Sequence, residues 1–298
     1  MAQWTADVRV DEELAGKLVA AQFPPLPERS LVFLGEGWDY AAFLVDDALV
    51  FRFPRRKLGV AGTEREIAIL PLLGPLLPVA VPNPVHVGRP SDDFPWPFYG
   101  APYLPGAEPD RSLREDMRTR LARPLARVLR ALHAPTTLVA AGDGLPVDPM
   151  GRGDMAVRAP RARETVLAIA ELWQPPPEID ELLAESLELP PPEASAVCHG
   201  DLHFRQLLVE DGALSGIVDW VDLCRGDPAI DISLVYGFLP PSARDEFFAE
   251  YGEVEPSVLL RARVLALNLL SVLARYGHDE AMPGVEAEAV AGLDRVFA

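Results

Sequence analysis

Cysteine is nearly absent: Cys198 and Cys224 are the only two in a chain of 298 residues. Two thiols cannot build the disulfide framework of a small secreted domain, and a zinc site needs more clustered ligands than this chain offers. Cys198 falls in an apolar run and Cys224 in a polar loop; the expected compartment is a reducing cytoplasm. Positive charge is scarce as well. Lys and Arg number 27 against 45 Asp and Glu, a formal charge of −18. Nucleic acid and anionic membranes would both be repelled, so neither is expected as a partner. The acidity suits a cationic ligand, although solubility is the larger reason for it. Among the longest apolar stretches, 264–273 is interrupted by Asn268 and Ser271 and is too short to span a bilayer. The opening Met1-Ala-Gln-Trp-Thr-Ala-Asp7 has neither the basic nor the long apolar region of a signal peptide. Five histidines are too few and too scattered for a metal-dependent hydrolase, and no repeat recurs at a solenoid period.

What is present is enough apolar residue for a packed core. Hydrophobic residues make up 49% and charged ones 24%, a balance that does not indicate disorder, and the length suits one large domain or two smaller ones. Residues 11–23 carry Leu14, Leu18 and Val19 at helical spacing and end at Pro24-Pro25. Strands are expected at 30–34, 41–45 and 49–53, around Gly35-Glu-Gly-Trp-Asp39, with Pro54 closing the third. A helix follows at 63–70, with Thr63 as N-cap, Glu66 completing a capping box and Pro71 at the end. Short extended runs fill 78–100. Tyr99-Gly-Ala-Pro-Tyr-Leu-Pro-Gly-Ala107 is a Gly/Pro-punctuated crossing segment. Beyond it the chain turns helical: 110–133, kinked or broken at Pro124, then 161–173, 179–187, 242–251, 256–276 and 285–297, with a Gly/Pro loop at 143–154. The proline runs at 175–177 and 190–192 are stiff helix stops.

Chemistry concentrates in Val197-Cys-His-Gly-Asp-Leu-His-Phe-Arg-Gln-Leu-Leu-Val209 and the following Leu214-Ser-Gly-Ile-Val-Asp-Trp220. The pattern is strand, polar loop, strand, turn, strand, a rigid frame around a solvent-facing loop. Phosphoryl transfer needs one carboxylate to accept a hydroxyl proton and another to hold magnesium. The kinase pattern His-x-Asp-x-x-x-x-Asn is met by His199 and Asp201, with Gln206 in the place of Asn, and Asp219 follows 18 residues after Asp201. The bland alternative, that Asp201 and Asp219 only cap turns, explains neither the second motif nor its order.

His199-Gly-Asp-Leu-His203, Gly216-Ile-Val-Asp-Trp220 and Gly226-Asp-Pro-Ala-Ile-Asp231 together resemble the aminoglycoside phosphotransferase family of small-molecule kinases, most strongly over 197–239. The resemblance implies an α+β, bilobal protein-kinase-like fold. Its small N-lobe, residues 1–101, would cover the nucleotide with a mainly antiparallel sheet. Its mostly helical C-lobe, 102–298, would include the hinge near Pro102, Tyr103 and Leu104. It further implies Mg²⁺-dependent transfer of the γ-phosphate of ATP or GTP to a hydroxyl of a small molecule, with an aminoglycoside the leading acceptor. A macrolide, a sugar or an amino-alcohol is the alternative within the fold. Asp222, Glu246, Glu250, Glu253, Asp279 and Glu280 are offered as contributors to a cationic substrate site. The chain is expected to be a monomer or weak dimer.

Carried over residue by residue, Asp201 is the catalytic base, and His199 and Asp231 support its loop. Asp219 and Gln206 are the metal ligands. Gly35 and Gly37 cover the phosphates, unless 35–39 is an ordinary hairpin turn. Arg52 stands where the family places Lys; period-two alternation turns it away from Phe51 and Phe53. Its helix partner would be Glu66, with Glu64 as the alternative and Lys57 a less suitable cation. Arg52 and Gln206 depart from the family pattern and support a rival reading, a pseudokinase-like nucleotide-binding module. His203 is an exposed loop residue or a ligand. Asp227 would cap the helix that Asp231 enters. The arginine run at 152–163 is expected to be a solvated face.

Overall fold

The computed structural model describes residues 6–24, 26, 30–37 and 39–298. Residues 1–5 of the opening segment, Pro25 of the first helix stop and Trp38 of the glycine loop lie outside the described residues. The chain packs as two compact units. The first runs to Pro75 and adds Ala80–Leu104 and Asp219–Val221; the second takes Leu76–Val79, Pro105–Val218 and Asp222–Ala298.

The first unit begins with α1 (Glu12–Gln22), capped where the Asp11 side chain accepts from the Leu14 amide. Strands β1 (Leu31–Glu36), β2 (Tyr40–Val45) and β3 (Leu49–Pro54) follow, then α2 (Lys57–Leu73), β4 (His86–Gly88) and β5 (Phe98–Pro102). The five strands form one sheet in the order β1-β2-β3-β5-β4, every neighbouring pair antiparallel. Alternation sends Phe43, Phe51, Phe53 and Phe98 to one face, where with Phe94 they make a fully buried aromatic core closed by Ala15, Leu18 and Val19 of α1. Each such ring removes roughly 150–250 Å² from water, which fixes the register of β3 and therefore the opposite-facing Arg52.

Helix α2 starts at Lys57, six residues before the expected Thr63. Thr63 is not a cap: its hydroxyl donates to the Gly59 carbonyl one turn back, at 3.2 Å. Gly59 and Gly62 lower the helix propensity of this turn, yet packing requires them. The Tyr40 hydroxyl donates to the Gly59 carbonyl at 2.5 Å, and a Cβ on Gly62 would stand 2.8 Å from that hydroxyl. Close approach overrides propensity here. Pro71 lies inside the helix rather than ending it.

The second unit holds α3 (Glu115–Leu132), α4 (Pro135–Ala141), α5 (Met155–Leu167), α6 (Ile179–Leu187), β6 (Ala196–Cys198), β7 (Leu207–Glu210), β8 (Ala213–Ile217), β9 (Cys224–Gly226), α7 (Ala229–Phe238), α8 (Pro241–Tyr251), α9 (Pro256–Asp279) and α10 (Pro283–Val296). Helix α3 continues through Pro124, and residues 110–112 form an Asx turn instead of its first turn. Helix α5 begins earlier than 161 because Asp154 caps it, accepting from the Ala156 amide. Two antiparallel ribbons, β6–β9 and β7–β8, carry the motif region. Cys224 is thereby a buried strand residue and not a loop residue; both cysteines are free thiols. Helix α7 is buried along its whole length against α9 and α10. Helix α9 is by length and composition apolar enough to cross a membrane, with mean hydropathy 1.7, but 61% of that stretch is buried within the unit.

Candidate active site

In the first unit, Arg52 projects from β3 on the face opposite Phe51 and Phe53, and its guanidinium joins two acids. Nη1 donates to Glu66 Oε1 at 2.8 Å, and Nη2 donates to Asp219 Oδ1 at 2.6 Å. The side chain is 14% exposed, that of Glu66 is fully buried and that of Asp219 is 39% exposed. The guanidinium also lies 4.7 Å over the Tyr40 ring. Burial alone would depress Arg52, but Glu66, Tyr99 and Asp219 outweigh it and push it up. Burial outweighs Arg52 at Glu66, and that carboxyl is pushed up to about 7. Helix α2 holds the segment 219–221 by two further bonds. Glu66 Oε1 accepts from the Trp220 amide at 3.0 Å, and Arg65 donates to the Val221 carbonyl at 2.7 Å. Asp219 itself adopts φ 63°, a left-handed conformation that Asp tolerates better than most residues. Glu64 and Lys57, the alternatives to Glu66 and Arg52, are exposed.

Lys17 and Lys57 are the only lysines in the chain, and both lie on the surface. Arginine at position 52 thus follows a chain-wide preference. It also provides a planar fork that reaches two carboxylates at once.

In the second unit, the loop after β6 is tied down by one buried acid. Asp231 Oδ2 accepts from the His199 amide at 2.8 Å, and Oδ1 accepts from the Gly200 amide at 3.1 Å. The His133 imidazole Nε2 lies 3.1 Å from Oδ2, and its Nδ1 lies 2.8 Å from the Tyr251 hydroxyl. Burial would raise Asp231, but the His133 hydrogen bond and charge, with His199, hold it below its ordinary value. His199 Nδ1 accepts from the Asp201 amide, so Nε2 carries the hydrogen and donates to the Val218 carbonyl at 3.0 Å. Gly200 has φ 95°, and a Cβ there would collide with the Asp222 carbonyl. Only glycine fits this close approach.

Asp201 is 30% exposed and is not alone. Arg152 donates to its Oδ1 at 3.1 Å and to Asp222 Oδ2 at 2.7 Å. The expectation of a solvated arginine face at 152–163 fails here: the Arg152 side chain is 18% exposed, and Arg158 is buried, donating to the carbonyls of Met150 and Gly151. Arg152, His133 and Tyr251 were not singled out in the sequence. Only the flanking glycines of Gly151-Arg152-Gly153 hinted that Arg152 is specially held.

The carboxylate of Asp219 has the hard oxygens magnesium prefers, on a partly exposed side chain. Gln206 fits less well. It is buried, and its amide nitrogen is placed 3.2 Å from His203 Nε2. His203 Nδ1 accepts from the Arg205 amide, so Nε2 carries a hydrogen and two donors would face each other. Turning the amide brings Oε1 to that hydrogen and commits one of its two lone pairs. His203 itself is buried, not an exposed loop residue. Elsewhere in the first unit, Gly35 has φ 156° beside a β-bulge, and the Gly37 amide donates to the Tyr40 carbonyl. The Tyr103 amide donates to the Ala48 carbonyl at 2.8 Å, while Pro102 ends β5 opposite Leu49. Asp227 accepts from the Ala229 amide and is paired with Arg261 at 2.9 Å.

The sequence profile of the phosphotransferase enzyme family APH matches residues 30–264, and the chain belongs to that family. It is a phosphotransferase. A search of the curated proteins returned no match. Among solved structures, the GDP and kanamycin complex of APH(2")-IIia is similar over 95% of this chain and 98% of its own, with TM-score 0.70 and 24% identity. The apoenzyme of macrolide 2'-phosphotransferase MphH from Brachybacterium faecium is similar over 95% and 98%, with TM-score 0.62 and 22% identity. These likenesses show the kinase-like fold.

Proposed function

We propose that the chain transfers the γ-phosphate of ATP or GTP, with Mg²⁺, to a hydroxyl group of a small molecule. The observation that carries this reading is Arg52 joining the helix acid Glu66 to Asp219 at 2.8 and 2.6 Å. A buried cation and an acid with hard oxygens are what nucleotide phosphates and their metal require. The same pairing supports this reading over the pseudokinase-like rival, which the departures at Arg52 and Gln206 raise. In this reading Arg52 binds phosphate oxygens, Asp219 with Gln206 holds the metal, and Gly35, Gly37, Pro102, Tyr103 and Leu104 serve the nucleotide. When bound, Mg²⁺ neutralises charge on the phosphate oxygens. The acceptor oxygen attacks the γ-phosphorus, the bond to the bridging oxygen breaks, and the nucleoside diphosphate leaves. Asp201 takes the acceptor proton, on a loop that Asp231 and His199 keep in place. The cytoplasm, where Cys198 and Cys224 remain thiols, is the setting that fits.

An aminoglycoside is the leading acceptor, as in the kanamycin-bound structural relative. A macrolide is the second reading, and one observation favours it. Four of the acids offered for a cationic substrate are already paired: Asp222 with Arg152, Glu246 with Arg123, Glu250 with Arg127 and Arg130, and Asp279 with Arg275. Coupled turnover of ATP and GTP against kanamycin, gentamicin, erythromycin and simple amino-alcohols decides among acceptors. Titration of Mg·ATP and Mg·GTP into Asp219→Ala tests the site: nucleotide binding should disappear, and unchanged affinity would remove Asp219 from it.

A further inference from the structure

We propose that Arg152 is a positioning residue for Asp201, an assignment that rests on the phosphotransfer reading given above. The segment that bears it is built to hold one arginine still. Val147 bridges Arg225 of β9, with the Asp148 amide donating to the Arg225 carbonyl and the Arg225 amide to the Pro146 carbonyl. The Asp148 carboxylate then accepts from two successive amides, Arg152 through Oδ1 and Gly153 through Oδ2, each at 2.8 Å. The Gly153 carbonyl accepts from buried Arg261 at 2.9 Å. The backbone on either side of Arg152 is therefore fixed before its side chain makes any contact.

From that anchor one guanidinium nitrogen reaches two carboxylates, Asp201 Oδ1 at 3.1 Å and Asp222 Oδ2 at 2.7 Å. The Asp222 backbone lies too close to Gly200 for a Cβ to fit between them, so two like charges are brought into one neighbourhood, and a shared cation offsets their repulsion. A charge-assisted bond to Oδ1 also restricts the rotamer of Asp201. Oδ2, which lies 3.7 Å from His203 Nε2, is left as the oxygen that takes the acceptor proton. Phosphoryl transfer depends chiefly on orientation, so a carboxylate free to turn would cost rate even if it remained charged. An arginine serving only the loop would not need to touch Asp201, because the Asp148 and Arg261 bonds already hold the backbone.

The test compares wild type, Arg152→Gln, Arg152→Lys and the exposed control Arg163→Gln. ATP and GTP turnover is followed with kanamycin, with erythromycin and with water as acceptor, alongside crystal structures of wild type and Arg152→Gln. We expect Arg152→Gln to lower kcat by about 10- to 100-fold, the scale of a misplaced catalytic group, with nucleotide KM within about two-fold. Arg152→Lys should recover most of the loss, and Arg163→Gln should match wild type. The Asp201 carboxylate should take another rotamer in Arg152→Gln while the Asp148, Arg225 and Arg261 contacts stay. Wild-type kcat in Arg152→Gln, a change confined to nucleotide KM, or an unmoved Asp201 would each overturn the assignment. Wild type that turns over nucleotide with none of the acceptors defeats the phosphotransfer reading instead, and the crystal comparison still decides what Arg152 does to Asp201. If Arg152→Gln fails to fold, Arg152→Lys carries the kinetic comparison, with partial kcat loss expected and none overturning the claim.

Discussion

A single added carbon separates Gly200 from alanine, and the Asp222 backbone leaves no room for it. Gly200→Ala places a Cβ against the Asp222 carbonyl on a backbone with φ 95°. We expect a loss of at least about 1–3 kcal/mol from the backbone conformation alone, measured by urea unfolding; an unchanged midpoint would mean the loop relaxes freely. Arg52 answers to a different rule. Arg52→Ala leaves Glu66 buried without its cation, a change that costs about 3–5 kcal/mol in such pairs, and it should weaken nucleotide binding. Arg52→Lys keeps the charge but gives up the fork to Glu66 and Asp219, so its losses should be smaller in both respects. Equal melting temperatures and nucleotide affinities for Ala, Lys and wild type would show that the pairing is dispensable. Arg52 could be found from the sequence, because alternation about Phe51 and Phe53 fixes its direction. Arg152 could not: beyond its flanking glycines, nothing local distinguishes an arginine that meets Asp201 across 49 positions from one in water.

Among the elements, α2 shows most plainly where sequence pattern and packing part. Its true start was hidden because Gly59 and Gly62 lower helix propensity, and distant neighbours explain them: the Tyr40 ring, brought in by β2, crowds both, and Val221 crowds Gly62. The long helices α9 and α10 were legible, since apolar residues recur at helical spacing along both despite the buried Asn268, Ser271 and Glu288. Helix α2 also carries a pH dependence. The Glu66 carboxyl is raised from 4.5 to about 7, so between those values the folded chain binds more protons than the unfolded one. Stability from this group is full below pH 4.5 and is lost as pH rises through 7, by up to about 3 kcal/mol. Unfolding free energies of wild type and Glu66→Gln, measured from pH 5 to 8 without nucleotide or metal, should differ in slope by that trend. Parallel curves would place the proton elsewhere. Helix α7 makes its own case through Asp231, whose carboxylate meets the His199 and Gly200 amides and His133. Asp231→Asn turns one acceptor into a donor facing donors and should cost about 3 kcal/mol, with Asp201-dependent turnover falling alongside.

The whole chain carries −18, and at low ionic strength that charge works against a compact state. Raising NaCl from about 10 to about 200 mM should lift Tm by about 2–4 °C, the shift that roughly 1 kcal/mol gives in a chain of this size. A flat or falling Tm would mean that screened ion pairs matter more than self-repulsion. At this scale the order of strands and helices was readable, because an opening helix, three strands, a second helix and a mostly helical remainder follow from periodicity. The allocation of residues 219–221 was not. They follow a hairpin of the second unit yet belong to the first, since Arg52, Arg65 and Glu66 hold them there, and bonds across 154 to 167 positions leave no local trace. The scarcity of lysine reaches into experiment. Reagents that seek amines, such as activated esters or the acyl-phosphate probes used to profile nucleotide pockets, would find only surface Lys17 and Lys57 among the side chains and would report the pocket as silent. Dicarbonyls that condense with guanidinium groups are the labels to which Arg52 can respond, and protection by nucleotide would then be visible.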